Sequence, residues 1–274
     1  MNMTCNPMVD VTVVIPIYKT NLAAYELLAL ARAIGKFSRR DIAIVCPESL
    51  DLSLLQHMFT PNCRVERFEP GYFAGREGYN RLMLSRDFYS RFAQSRFVLV
   101  CQTDVLIFDD QLDYWCDQDY DYIGAPWLPA PGEVKGWNLF QRASYGLRRL
   151  YGRVKPGFHA INLKWQVGNG GLSLRRVSAM LAVIDAHADD IAAIAANSHQ
   201  VECFEDVFWG VGANQRWPAT LRVPDAATAA QFAVEGHPDM AMRLTHGRLP
   251  MGAHAFQRRR NIKHWRNLAG IELP

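Results

Sequence analysis

The stretch Arg96-Phe-Val-Leu-Val-Cys-Gln-Thr-Asp-Val-Leu-Ile-Phe108 constrains this chain more than any other. Phe97 to Cys101 is an unbroken apolar run of strand length, rich in β-branched and aromatic residues, as expected of a strand covered on both faces. Gln102-Thr-Asp104 follows at once, where a parallel strand reaches the carboxyl edge of its sheet. Open α/β sheets bind their ligands at that edge. Asp104 is thus a carboxylate between apolar residues that could cap a turn, coordinate a hard cation, or act as an acid or base.

The pattern upstream repeats. Val11-Thr-Val-Val-Ile-Pro-Ile-Tyr18 predicts a first strand whose ladder ends at Pro16, and a helix over 22–37 follows with Asn21 as its cap. A second strand spans 41–46 and stops at Pro47, a short helix spans 52–59, and a third strand spans 63–68. This β-α-β-α-β order with continuous apolar strands implies a doubly wound, mostly parallel sheet with helices on both faces. A glycine-punctuated loop over 70–78 opens a helix over 79–92 that returns into the Phe97 strand.

Farther on, 119–127 reads as a short strand and turn, and 128–164 as a loop insertion without periodicity. A strand entered through glycines spans 167–174, and one long alanine-rich helix spans 176–196. A helix over 202–214 carries Glu205-Asp206 in its first turn, where the helix dipole favours carboxylates. The tail over 236–256 is turn-rich and contains Met251-Gly-Ala-His254. No repeat or linker divides the chain, so a single domain is the simplest reading.

Composition excludes several classes. With 49% hydrophobic and 21% charged residues, a chain of 274 residues folds and buries a large core. A net charge of +3, with no basic motif interleaved with stacking aromatics, argues against nucleic acid as a partner. Basic residues gather late, at Arg258-Arg-Arg260, Lys263 and Arg266. They read either as a solvated helix face or as a contact with an anionic membrane surface or acidic glycolipid. The six cysteines form no CxxC pair, and Cys46 and Cys101 lie inside apolar runs, so buried thiols in a reducing compartment are expected. The chain lacks a run of membrane-spanning length and a signal-peptide pattern, which points to the cytoplasm.

Four features remain: Asp104, Gly168-Asn-Gly-Gly171, Glu205-Asp206, and Met251-x-x-His254. Their order in the chain resembles that of the metal-dependent glycosyltransferases with the GT-A fold. In that family a strand-end D-x-D motif holds a divalent cation on a sugar-nucleotide diphosphate. Here it reads Gln102-Thr-Asp104, with an amide replacing the first carboxylate and the last Asp, the usual direct ligand, retained. The order is most similar to inverting, β-1,4-galactosyltransferase-like members. The matching stretches are Pro16-Ile-Tyr18, Tyr79-Asn-Arg81, Gln102-Thr-Asp104, Glu205-Asp206 and Met251-Gly-Ala-His254. It departs from them in that the glycines lie well upstream of the acidic pair. The chain also resembles a bacterial family of unassigned function, related to polysaccharide glycosyltransferases, marked by Q-T-D, G-A-P-W, G-N-G-G-L-S-L-R and E-D-V-F.

These resemblances imply a GT-A-like, Rossmann-like single catalytic domain over 1–274, with a mostly parallel central sheet flanked by helices. Residues 10–108 would be the nucleotide-binding half and 109–274 the acceptor-binding half, with an insertion near 128–164. The implied activity moves a sugar from a nucleotide-diphosphate donor, a UDP-sugar, to a glycan or glycolipid acceptor in bacterial surface polysaccharide synthesis. Such an enzyme would be cytoplasmic, or peripheral at the inner membrane through its basic C-terminus. Asp104 and His254 would ligate Mn2+ or Mg2+, since a hard oxygen with an imidazole suits Mn2+ better than Ca2+. Met251 is a soft third ligand left open.

Asp206 is expected as the base of an inverting displacement, with Glu205 as its rival or as a hydrogen-bond partner of the acceptor. Pro16, Ile17, Tyr18, Tyr79, Arg81, Gln102 and Thr103 would hold the donor beside Asp104. Asn169, Gly170, Gly171 and Trp127 would hold the acceptor, the glycines letting substrate lie against backbone. Trp137 and Trp165 are further candidate sugar platforms. The alternative is a non-catalytic carbohydrate- or nucleotide-binding module of the same fold. A sugar-1-phosphate nucleotidylyltransferase would need a G-x-G-T-R-L loop after the first strand, and Pro16-Ile-Tyr-Lys-Thr20 is not one.

Overall fold

The computed structural model of the chain describes residues 9–130, 163–197, 199–217 and 220–268. The apolar runs become β1 (Val9–Pro16), β2 (Asp41–Pro47), β3 (Cys63–Phe68) and β4 (Ser95–Cys101), followed by the short β5 (Val105–Ile107) and β6 (Tyr122–Gly124). Then come β7 (Leu172–Arg176), β8 (Ala233–Val234) and β9 (Gly252–His254). Six of these form one sheet in the order β3-β2-β1-β4-β7-β6. β1 runs parallel to β2 and β4, β2 parallel to β3, and β7 antiparallel to both of its neighbours. The mostly parallel sheet is as expected, with one strand reversed.

That reversal positions the site. β4 ends at Cys101 opposite Leu172, where β7 begins. The glycines leading into β7 therefore lie beside the residues leaving β4, and the Gln102 N–H donates to the Gly171 carbonyl at 2.9 Å. The strand expected over 167–174 starts only at Leu172; Val167 makes an isolated bridge to Pro126.

Alternating side chains of the central strands feed two separate cores. Val13, Ile15 and Leu99 pack on one face with α1 (Ala24–Lys36). Val14, Val98 and Val100 pack on the other with α2 (Gly75–Met83) and α3 (Arg86–Arg91). Later helices are α4 (Leu112–Asp117), α5 (Val177–Ala186), α6 (Ala188–Ala196) and α7 (Glu205–Val207). A π-helical stretch over Phe208–Gly212 continues α7 into α8 (Ala213–Arg216); α9 (Ala226–Phe232), α10 (Pro238–Leu244) and α11 (Arg259–Leu268) follow. Cys46, Cys101 and Cys116 are buried free thiols.

Several local expectations are corrected. The helix start is Ala23, not Asn21, and Glu26 satisfies the exposed donor by accepting from the Ala23 N–H at 2.8 Å. The segment over 52–59 holds only one 3-10 turn, Gln56–Met58. The helix expected over 79–92 begins earlier, at Gly75, and is interrupted at Leu84-Ser85, where the Ser85 hydroxyl accepts from the Phe88 N–H and caps α3. The long helix over 176–196 divides at His187, whose φ of −135° is not helical.

A second, three-stranded sheet, β5-β9-β8, has no counterpart in the sequence reading. β5 and β9 are antiparallel, with Val105 opposite His254, and β8 runs parallel to β9, with Val234 opposite Ala253. Asp104 precedes β5, His254 ends β9 and Glu235 follows β8. Three residues distant in the chain thus reach one end of this small sheet.

Candidate functional site

The strand edges enclose a cavity of about 740 Å3. Its wall includes Pro16 and Tyr18 after β1, Gln102, Thr103 and Asp104 after β4, and Asn169, Gly170 and Gly171 before β7. α2 contributes Arg76, Tyr79 and Asn80; the α7 segment contributes Phe204, Glu205 and Asp206. Glu235, His254 and Arg258 close the side formed by the small sheet. Among the described residues, five carboxylates line it (Glu26, Asp104, Glu205, Asp206, Glu235) against three cations (Lys19, Arg76, Arg258). A dianionic ligand entering such a wall needs added positive charge.

Asp104 and His254 meet directly, with Nε2 3.2 Å from Oδ1. Gln257 donates to the other Asp104 oxygen at 3.4 Å. On the far side of the ring, Nδ1 is buried without a hydrogen-bond partner among the described residues, and Glu235 Oε1 lies 3.8 Å away. Burial disfavours the imidazolium, but Asp104 and then Glu235 outweigh it and raise the His254 pKa. Burial likewise disfavours the Asp104 carboxylate, and the hydrogen bond and charge of His254 reverse this, holding it below the ordinary carboxylate range.

Among the described residues no group of three or more His, Cys, Asp and Glu side chains is arranged to hold a metal ion. The pair nevertheless fits one. Neighbouring ligands of an octahedral ion with bonds near 2.1 Å stand about 3.0 Å apart, and the Asp104–His254 contact is of that size. Two protein donors leave positions for phosphate oxygens and water, the usual arrangement for Mg2+-like ions.

A different kind of cluster lies on the other side. Glu205 and Arg175 form a buried bidentate pair, with Nη1–Oε2 at 2.9 Å and Nη2–Oε1 at 3.1 Å. Arg175 also donates to Ser173 Oγ at 3.0 Å and to Tyr89 Oη at 3.1 Å. Asn80 Oδ1 accepts from the Glu205 N–H at 3.3 Å and anchors the start of α7. Burial raises the Glu205 carboxyl above its ordinary range and the guanidinium opposes that rise. Both oxygens face Arg175, and Oε2 makes no hydrogen bond among the described residues.

Asp206, one residue on, is held by backbone donors among the described residues. Its Oδ2 accepts from the Gly170 N–H at 3.3 Å and its Oδ1 from the Val207 N–H at 2.8 Å. Burial raises its pKa; the two backbone donors partly offset this. A carboxyl moved up from its ordinary range is better matched to proton abstraction near neutral pH.

The expected glycine roles change. A Cβ at Gly171 would lie 2.3 Å from His254 Nε2, and one at Gly170 would lie 2.2 Å from Glu205 Oε1. The space they leave is filled by the side chains of the site and not by open cavity. Asn169 is buried in the left-handed region (φ 42°), and its Nδ2 donates to Glu235 Oε2.

Of the residues singled out from sequence, Pro16, Tyr18, Tyr79, Gln102, Thr103, Asp104, Trp127, Asn169, Gly170, Gly171, Glu205, Asp206 and His254 all face this cavity. Ile17 does not: it alternates away from Tyr18 into the apolar core. Arg81 does not either. It lies two residues past Tyr79, about 200° around α2, and donates to the Gly71 carbonyl beside a separate groove. Arg76, one turn before Tyr79 and Asn80, takes the cavity face and stacks over the Phe204 ring at 5.1 Å. Met251 is fully buried in the core and does not line the cavity. Trp165 packs in the cluster of Phe108 and Trp265. Trp137 and most of the 128–164 insertion lie outside the described residues. Sequence reasoning missed Arg175, Glu235, Glu26 and Arg76. Arg175 had a signal, since Ser173 and Arg175 alternate with Leu172 and Leu174 on one strand face.

Residues 62–254 match the model of a family described as Protein of unknown function (DUF5672). No curated protein matches the chain. Among solved structures it is similar to the galactosyltransferase LgtC in complex with donor and acceptor sugar analogues, at 17% identity and a TM-score of 0.51, over 96% of this chain and 97% of that one. It is also similar to a glycosyltransferase involved in glycosylation of the major capsid of PBCV-1, at 11% identity and a TM-score of 0.50, over 94% and 100% of the two chains. The likeness is one of fold, the mixed α/β architecture of GT-A glycosyltransferases.

Proposed function

We propose that the chain, which belongs to the DUF5672 family, is a glycosyltransferase that moves a sugar from a nucleotide-diphosphate donor, a UDP-sugar, to a glycan or glycolipid acceptor. The observation that carries this reading is the 3.2 Å approach of Asp104 and His254 inside a cavity that also holds Asp206. Asp104 and His254 hold Mn2+ or Mg2+, whose charge offsets that of the diphosphate leaving group. The carboxylate-rich wall supports this, because without such an ion it repels a diphosphate.

The residues divide the remaining work. Tyr18, 55% exposed at the mouth, stacks on the base, and Gln102 and Thr103 flank the diphosphate. Arg76 replaces Arg81 as the cation available on α2. Trp127 and the 169–171 backbone bound the acceptor side. Asp206 takes the proton of the acceptor hydroxyl as its oxygen bonds to the anomeric carbon, while the diphosphate oxygen departs with the electron pair. This is an inverting displacement. The pathway in this reading is bacterial surface polysaccharide synthesis in the cytoplasm. Arg259, Arg260, Lys263 and Arg266, exposed on α11, offer a peripheral contact with an anionic inner membrane. Among the described residues no helix is long and apolar enough to cross a membrane.

Asp206→Asn tests the assignment: nucleotide-sugar binding persists and transfer falls about 10²–10⁴-fold. Unchanged transfer overturns the base. Gln102 favours one second reading, a binding module whose metal site has lost a carboxylate. Purified protein that binds UDP-sugars but neither hydrolyses nor transfers them would establish it.

A further inference from the structure

We propose that Glu235 is a positioning residue for His254: it accepts from the ring Nδ1–H and so leaves the Nε2 lone pair for a cation bound beside Asp104. This rests on the reading of Asp104 and His254 as cation ligands.

The placement follows from the small sheet. Ala233 pairs with Gly252 and Val234 with Ala253, so continuing the parallel register sets Glu235 abreast of His254. The Glu235 main chain is fixed, with its carbonyl accepting from the buried Asn261 Nδ2 at 2.6 Å. Its side chain is fixed as well. Oε2 accepts from Asn169 Nδ2, and Oε1 is ion-paired with Arg258 at 3.0 Å.

Oε1 also lies 3.8 Å from His254 Nδ1, a buried nitrogen with no hydrogen-bond partner among the described residues. A buried donor left unpaired costs about 1–3 kcal/mol, so a ring bearing its proton there is drawn to the Glu235 carboxylate. A closure of about 0.8 Å makes the bond. The opposite tautomer would aim an N–H at any ion bound beside Asp104 and leave Nδ1 as a bare lone pair facing a carboxylate. Ligating histidines generally donate their second N–H to a carboxylate or carbonyl, which fixes ring and tautomer together. Gly171 completes the arrangement, because the ring occupies the space a Cβ would need. Glu235 thus acts through His254 and not on substrate.

The test is Mn2+ binding by calorimetry to the metal-free full chain, together with ¹⁵N NMR of the His254 ring in the Mg2+-loaded protein. In wild type the NMR should show Nδ1 protonated and Nε2 unprotonated. Glu235→Leu should weaken Mn2+ about 10–100-fold and scramble the tautomer. Glu235→Gln, which keeps a carbonyl acceptor, should restore most of the affinity, a rescue that a packing role would not give. If Glu235→Leu fails to fold, Glu235→Gln and the wild-type NMR still decide: an Nε2-protonated ring in wild type overturns the proposal. Wild type that binds Mn2+ and Glu235→Leu that binds it equally overturn this inference alone. Wild type that takes up no Mn2+ overturns the cation reading and this inference with it.

Discussion

Two polar clusters share one cavity wall and differ in how closely their groups approach one another. Arg175, Glu205, Ser173, Tyr89 and Asn80 form a tight set, with both Glu205 oxygens within 3.1 Å of the guanidinium, although Oε2 makes no hydrogen bond among the described residues. Asp104, His254 and Glu235 form a loose one, with contacts of 3.2 and 3.8 Å and a ring nitrogen likewise lacking a hydrogen bond. Buried polar groups normally pair off, and exceptions call for an explanation. In the tight cluster the Glu205 charge is met at 2.9 and 3.1 Å by the Arg175 guanidinium. The loose one is where the proposed cation would bind.

Breaking the tight cluster should have the largest effect on stability. Arg175→Met strands a buried carboxylate and should cost about 3–5 kcal/mol in denaturant unfolding, while the Arg175→Met/Glu205→Leu double variant recovers much of it because the charge is gone. A double variant as unstable as the single would show that the cluster is not a self-contained ion pair.

Overpacking at the two glycines separates the clusters next. Gly171→Ala pushes on the His254 ring and should weaken Mn2+ at least tenfold. Gly170→Ala pushes on Glu205 and should destabilise the fold by about 1–3 kcal/mol with less effect on Mn2+. Equal effects on both readouts from both variants would erase the distinction.

Removing His254 from the metal-free protein should matter less, about 1–2 kcal/mol, and only in one pH window. The raised His254 pKa contributes stability below the ordinary histidine value that is lost as pH rises through the raised one. The lowered Asp104 pKa contributes stability above the ordinary carboxylate value that is lost as pH falls through the lowered one. The penalty of His254→Ala should therefore peak between about pH 4 and 6.5. A pH-independent penalty would assign His254 to packing.

The smallest effect is expected at Asp206. Its raised pKa means that stability is present below the ordinary carboxylate range and lost as pH rises through the raised value. Asp206→Asn removes that titration, so thermal melts should show the variant gaining on wild type as pH increases.

What could be read in advance follows from element length. The runs at 11–16, 41–46 and 97–101 are continuous, apolar and bounded by Pro or polar residues, so the parallel sheet and the edge position of Asp104 were legible. The second sheet was not, because strands of two and three residues such as Ala233–Val234 and Gly252–His254 carry no periodicity. His254 was found only through a resemblance, and Glu235 was missed because nothing local distinguishes it. Arg81 was misplaced because its motif was matched without asking which face of α2 it occupies; the i, i+3, i+4 pattern of Arg76, Tyr79 and Asn80 answers that. The capping Ser85 was a readable break in the helix over 79–92 that hydrophobic spacing obscured.

The measurement that bears most directly on the central claim is UDP binding by calorimetry, with and without Mn2+, to wild type and Asp104→Ala. The account expects wild type to bind UDP only when Mn2+ is present and Asp104→Ala to lose that binding while remaining folded. Metal-independent UDP binding by wild type, or unchanged Mn2+-dependent affinity in Asp104→Ala, would contradict it.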